Sequence, residues 1–325
     1  MKNVFNILLP VVISILFSTN TFAQYPLEIT VAQDGSGDYK TIQEAVCATK
    51  AFPDQQITIF IKNGIYKEKV CIFSWNTHLM LKGESVEGTV VTYDDYFSRI
   101  NLGRNSTFHT YTMKVEANDF IAENLTIENT AGPVGQAIAL FAEGDRCQFR
   151  NCRILGFQDT LYTAGEGCRQ YFTDCFIAGT TDFIFGDSTA LFESCTIHSK
   201  ANSFITAAST PKDQSYGYVF RNCKLTADDS ISEVYLGRPW RDYARVVYIN
   251  CEIGPHILPE GWSNWEGTDR DKTAFFAEYG NYGQGAETAN RVPWSKKLSE
   301  KEVKKYTVRN VFGAATSDMW MPAKK

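Results

Sequence analysis

Apolar and polar residues alternate along this chain in short bursts, and helical spacing is almost absent. The bursts share one form. It recurs at Phe120–Ile127, Cys147–Ile154, Gln170–Ile177, Ala190–Ile197, Tyr218–Leu225 and Val246–Ile253. Five of these segments carry cysteine at the same place: Cys152, Cys175, Cys195, Cys223 and Cys251. The first is read with Asn124 there, which makes the intervals 28, 23, 20, 28 and 28 residues. Each unit is rich in aromatic and β-branched residues and is followed by Gly or Asn turns, the signature of a strand. A repeat of this size predicts a solenoid. The simplest architecture is an all-β, right-handed parallel β-helix with one coil per repeat.

Two stretches depart from the pattern. Thr41-Ile-Gln-Glu44 reads as a capping box, and Ile42, Ala45 and Val46 follow with helical spacing. A short helix over about 41–49 is expected to plug the N-terminal end of the solenoid, because exposed solenoid ends need covers. The Trp-rich segment from Pro259 to Trp294 breaks the repeat and is expected to lie as loops along the flank. No Pro- or Ser-rich linker divides the chain, so one domain is expected over residues 24–325.

The start of the chain changes where the protein is expected to work. Lys2 is followed by an apolar run from Ile7 to Phe17, then by Thr21-Phe22-Ala23 before Gln24. Residues 1–23 read as a secretory signal, too short to span a bilayer comfortably. A secreted or periplasmic protein is expected, without a membrane anchor.

Hydrophobic residues make up 44% of the 325 and charged residues 21%, which excludes a disordered chain. The net charge of −5 and the lack of a basic block argue against nucleic-acid binding. Aromatics at 14% suit either rings laid against sugars or a β-rich core.

Nine cysteines in an exported chain would ordinarily suggest disulfides. The shared phase of five suggests an internal ladder of free thiols instead, since buried Cys behaves as a small apolar residue. Cys47, Cys71, Cys147 and Cys168 lie off the ladder and are free to pair.

The same phase brings two carboxylates together. Asp159 follows Cys152 by seven residues, and Asp182 follows Cys175 by seven. On successive coils they would stand side by side, about 5 Å apart. The equivalent positions elsewhere are Ala131, Asn202, Ser230 and Leu258, none acidic. Two carboxyls that close do not both ionise easily, so one pKa rises. That suits an acid/base residue beside an ionised nucleophile.

Five stretches then resemble, in order, the signature blocks of the pectin methylesterase (pectinesterase) family: Gly64–Glu68, Gln136–Leu140, Gly156–Leu161, Asp182–Gly186 and Leu236–Trp240. Asp34–Val46 and Gly283–Val292 are similar to that family's beginning and end. The resemblance spans nearly all of the mature chain. It implies a right-handed parallel β-helix and hydrolysis of methyl esters at C6 of galacturonate in pectin, with no metal or organic cofactor.

Carried over by motif, Asp182 is the nucleophile and Asp159 the general acid, then base. Gln158 and Gln136 donate to the oxyanion, and Arg238 orients Asp182. The implied substrate contacts are Thr112, Gln136, Phe157, Tyr162, Arg238 and Trp240. Trp262 and Trp265 either wall the groove or pin the late loops. Gly64 is read as a turn residue, Glu68 as an internal hydrogen-bonding group, and Gly186 and Gly237 as backbone requirements. Asp187 is read as extra negative charge near the site. A monomer acting on a polysaccharide is expected, with no nucleic-acid or membrane partner.

Four rival readings stay open at this point. Paired carboxylates also describe a retaining glycosidase. Gly186-Asp-Ser-Thr-Ala190 imitates a serine-esterase elbow. A related exported solenoid could act on another ester or thioester. A non-catalytic adhesin would not need Asp159, Asp182 and Arg238 together. Two Asn-x-Ser/Thr sites are present at Asn105 and Asn124, the latter expected to be buried.

Overall fold

The computed structural model describes residues 25–313 and 318–322. The expected signal segment lies outside the described residues. The chain winds as a right-handed parallel β-helix. Its strands fall into three sheets of eleven, eight and seven strands, with coil neighbours paired in parallel. One coil runs through Cys147–Arg150, Arg153–Leu155 and Leu161–Thr163. The next runs through Arg169–Thr173, Phe176–Gly179 and Ile184–Gly186, in register with the first at Phe149–Phe172, Ile154–Ile177 and Leu161–Ile184.

The interior is a set of stacked like residues. Phe149, Phe172, Phe192, Phe220 and Tyr248 lie ring on ring at 4.7, 4.8, 4.5 and 4.4 Å. The coil spacing of about 4.8 Å suits stacked rings, so the same geometry satisfies backbone pairing and aromatic packing. Much of the aromatic surplus is therefore core.

The cysteine ladder runs beside this stack. Cys175, Cys195, Cys223 and Cys251 each turn Sγ toward a carbonyl of the preceding coil, Phe149, Phe172, Phe192 and Phe220, at 3.4, 3.5, 3.4 and 3.6 Å. All five ladder thiols are buried.

The structure corrects the phase of the first repeat. Thr126 pairs with Arg153, so Leu125, not Asn124, is the partner of Cys152. Asn124 belongs one position earlier, to a column of turn residues with left-handed backbone: Asn124, Asn151, Asp174, Ser194, Asn222 and Asn250, at φ of 58, 47, 54, 55, 53 and 53°. Short polar side chains tolerate that conformation best. Asn151 Nδ2 donates to Asn124 Oδ1 at 2.8 Å, and Asn124 is only half-buried.

The N-terminal helix is Ile42–Ala48, and Thr41 caps it by accepting from the Glu44 N–H. The reciprocal half of the expected box is replaced. Glu68 accepts from the Ile42 and Gln43 N–H groups, both at 2.9 Å, which is its internal role. Its charge also complements the helix N-terminus. Gly64 begins the strand Gly64–Lys67 rather than a turn; a Cβ there would lie 2.7 Å from Gln33 Oε1.

The late segment is less irregular than expected. Phe275–Tyr279 adds a strand to the eleven-stranded sheet, and Trp262 is fully buried against Tyr248 and Phe276. A short helix, Val308–Gly313, then covers that sheet's outer face with Val311 and Phe312 against Leu191, Val219 and Val247.

Candidate active site

The seven-stranded sheet presents one outward row that crosses the coils: Phe141, Tyr162, Phe185, Ala207 and Arg238, each in register with the next. Strand alternation puts these side chains outside while their neighbours fill the core. Two glycines let the coils close up here. A Cβ on Gly186, at φ 127°, would meet Thr163 O at 2.1 Å, and one on Gly237 would meet Thr206 Oγ1 at 1.9 Å.

Asp159 and Asp182 lie just before this row, in the turns that lead into Leu161–Thr163 and Ile184–Gly186. The register Leu161–Ile184 makes them equivalent, as phasing predicts. Both have left-handed backbone, at φ 62 and 49°. Both are buried, at 9% and 6% exposure. These turns bring both carboxyls to the lining of one groove.

Their surroundings differ. Arg238 Nε donates to Asp182 Oδ1 at 3.0 Å and its Nη2 to Oδ2 at 2.6 Å. The guanidinium lies over the rings of Phe204 and Trp265, at 4.0 and 4.1 Å from their centroids. Burial raises the Asp182 carboxyl, and the two bonds from Arg238 oppose that rise. Asp159 has no such grip. Burial first, then the Asp182 charge, push its pKa well above the carboxylate range, with Arg238 only partly offsetting them. Of the two carboxyls, Asp159 is therefore the one that holds a proton more tightly.

Gln136 and Gln158 form a parallel bridge between adjacent coils. Backbone bonds fix them, with Ala137 N donating to Gln158 O at 3.1 Å and Phe97 N to Gln136 O at 2.9 Å. Their amides line the groove with Asp159, Asp182, Arg238 and Trp240. The groove holds about 420 Å³, and its remaining lining is Arg104, Thr107, Phe108, Phe185, Ala207, Arg241 and Trp265.

Three expected substrate contacts fall elsewhere. Thr112 is fully buried and its hydroxyl donates to Glu128 O at 2.8 Å, so it is a core residue. Phe157 is absent from the groove wall, and Lys200 Nζ sits over its ring at 3.6 Å. Tyr162 is half-buried, stacked on Phe185 at 4.6 Å, and supports the groove floor rather than lining it. Asp187 accepts from Gly165 N at 2.9 Å, which pins the Thr163–Cys168 turn and leaves it outside the groove. Of the two late tryptophans, Trp265 walls the groove and Trp262 is core.

Sequence reasoning missed several lining residues. Phe185 lies inside the Asp182–Gly186 block and Arg241 directly follows Leu236–Trp240, and an apolar Ile184 filling the core leaves Phe185 to face outward by strand alternation. Arg104, Thr107 and Phe108 come from the 3₁₀ segment Gly103–His109, which carries none of the five family blocks. Three arginines in the groove give it a local charge that the acidic whole chain conceals.

A parallel β-helix with a groove holding two unlike carboxyls, a clamping arginine and two side-chain amides defines a carboxylic ester hydrolase of the aspartyl type. The chain belongs to the pectinesterase family, whose model matches residues 28–315. Pectinesterase 31 of Arabidopsis thaliana is 41% identical over 282 residues, which cover 84% of this chain and 88% of that protein. Other curated relatives are longer, and the chain spans 53% of a probable pectinesterase/pectinesterase inhibitor from the same plant. Among solved structures, a pectin methylesterase from carrot superposes with a TM-score of 0.82 at 34% identity, covering 88% of this chain and 92% of that one. A pectin methylesterase solved with a hexasaccharide superposes at 0.77 with 29% identity, covering 91% and 98%.

Proposed function

We propose that this protein hydrolyses methyl esters at C6 of galacturonate units in pectin, giving a free carboxylate and methanol. The observation that carries the reading is the asymmetry of the carboxyl pair, which shares the groove lining with two side-chain amides that make no hydrogen bond among the described residues. Asp182, kept ionised by Arg238, attacks the ester carbonyl. The carbonyl oxygen becomes an oxyanion and is met by the amide N–H groups of Gln158 and Gln136. Collapse expels the methoxy group, which takes the Asp159 proton and leaves as methanol. The acyl-enzyme is an anhydride between Asp182 and the substrate carboxyl. Asp159, now ionised, takes a proton from water as that water attacks the anhydride. Asp182 departs as carboxylate, and Asp159 again carries the proton.

Trp240 and Trp265 offer flat faces at the groove wall for sugar rings, and Phe185 and Tyr162 support its floor. Export after removal of residues 1–23 would place a single-domain, monomeric enzyme where the polysaccharide is.

Methanol release from highly methylated pectin, measured beside reducing-end release, tests the reading. Methanol without new reducing ends is expected. New reducing ends without methanol would mean glycosidic cleavage. Full methanol release by Asp182→Ala would overturn the nucleophile assignment.

A further inference from the structure

Lys200 stands outside the groove, yet it touches both turns that carry the carboxyl pair. Its own N–H donates to Gly179 O at 2.8 Å, three residues before Asp182. Its Nζ donates to Gly156 O at 2.8 Å, three residues before Asp159. Gly156 and Gly179 are equivalent positions on successive coils, as the register Leu155–Ala178 requires. One residue therefore holds the matching carbonyl on each catalytic coil, reaching across the nearer coil to the farther one.

The contact is shaped as well as close. The ammonium lies over the Phe157 ring at 3.6 Å, within cation–π range. Phe157 O in turn accepts from Thr160 Oγ1 at 2.9 Å and Thr180 N at 3.0 Å. The segment Gly156–Thr160 is thus held on both sides of Gln158 and Asp159. Burial has a cost for this lysine and lowers its pKa. A half-buried ammonium that makes no ion pair within 4 Å among the described residues is not explained by surface solubility.

We propose that Lys200 is a positioning residue that sets the separation of the two carboxyls and the aim of the Gln158 amide. The proposal rests on the roles given above to Asp159, Asp182 and Gln158. Those turns have left-handed backbone at non-glycine residues, so they hold their shape only where surrounding contacts over-determine it. A misplacement of about 1 Å is enough to cost ~10²-fold in rate. Because Lys200 touches no lining residue of the groove through its side chain, its loss should act on turnover and leave substrate binding intact.

The test compares Lys200→Met, which keeps the stem but not the donor, with Lys200→Arg, which keeps donor and cation. Lys200→Met is expected to lower kcat at least ~10-fold with KM changed less than ~3-fold, at a melting temperature near the parent's. Lys200→Arg is expected to retain most of the parent kcat. Phe157→Leu, which removes the ring face beneath the ammonium, should give a smaller loss of the same kind and serves if Lys200→Met does not fold. Lys200→Met keeping over half the parent kcat, or losing only in KM, would overturn the proposal, as would Lys200→Arg as impaired as Lys200→Met. If Lys200→Met does not fold, parent-like kcat in Phe157→Leu would do the same. Asp159→Ala and Asp182→Ala measured alongside separate the two ideas: activity surviving in those variants would sink the underlying mechanism, whereas its loss there with an unaffected Lys200→Met would sink only the positioning role.

Discussion

Arg238 grips Asp182 through two hydrogen bonds, 3.0 and 2.6 Å long, and makes none to Asp159 on the next coil. Two carboxyls equivalent by register are made chemically unlike by one guanidinium. The fold supplies the proximity, and Arg238 supplies the division of labour.

Arg238→Lys should expose that division. An ammonium cannot reproduce two parallel bonds to a carboxylate, nor a guanidinium's planar contact with the rings of Phe204 and Trp265. Burial would then dominate at Asp182 and raise its pKa further. The acidic limb of the kcat/KM profile should move up by about one pH unit, with turnover at neutral pH reduced ~10-fold or more. An acidic limb that stays in place would contradict the assignment of Asp182 as the group that must be ionised.

Asp159 should reveal itself in stability as well as rate. Its folded-state pKa is raised above the unfolded value, so the proton it holds favours the folded state. That contribution is complete below the unfolded pKa and is lost as pH rises through the folded one. Asp159→Asn, uncharged at every pH, should therefore melt higher than the parent at pH 8 and lose that advantage toward pH 3. Each kcal/mol recovered would appear as about 2 °C or less in a chain of this size. The same variant should lose nearly all turnover, since methoxide leaves poorly without a proton. A melting difference that does not vary with pH would argue against the raised pKa.

Gln158→Ala removes one oxyanion donor without touching a buried hydrogen bond of the fold. Turnover should fall ~10²–10³-fold with little change in melting temperature. Gln136→Ala should be similar or milder. A loss under threefold for Gln158 would leave it as a backbone bridge and nothing more.

The ladder of Cys152, Cys175, Cys195, Cys223 and Cys251 should survive export as thiols. Each is buried, and four of them face a carbonyl of the previous coil. Denaturation without reductant, followed by thiol labelling, should count at least five. Four disulfides among the nine cysteines would refute the ladder.

The coil, the internal column and the carboxyl pair were all legible in the repeat. Those features repeat with the backbone, and a parallel β-helix converts equal phase into side-by-side position. Asp159 and Asp182 were legible for that reason, and Gln136, Gln158 and Arg238 were legible through their motifs. The misreading of Asn124 marks the limit of phasing, because a turn residue and a core residue one position apart look alike in a single repeat.

What closes around the site came from the folded chain alone. Thr112 and Trp262 turn inward and Trp265 turns to the groove, although nothing local separates the two tryptophans. Arg104, Thr107 and Phe108 reach the groove from a segment with no repeat of its own. Lys200 meets Gly156 across 44 residues of chain. Phase along a coil is a one-dimensional property that the chain carries everywhere. The partners of a side chain that crosses coils depend on how loops of unequal length fold back, and no local pattern encodes that.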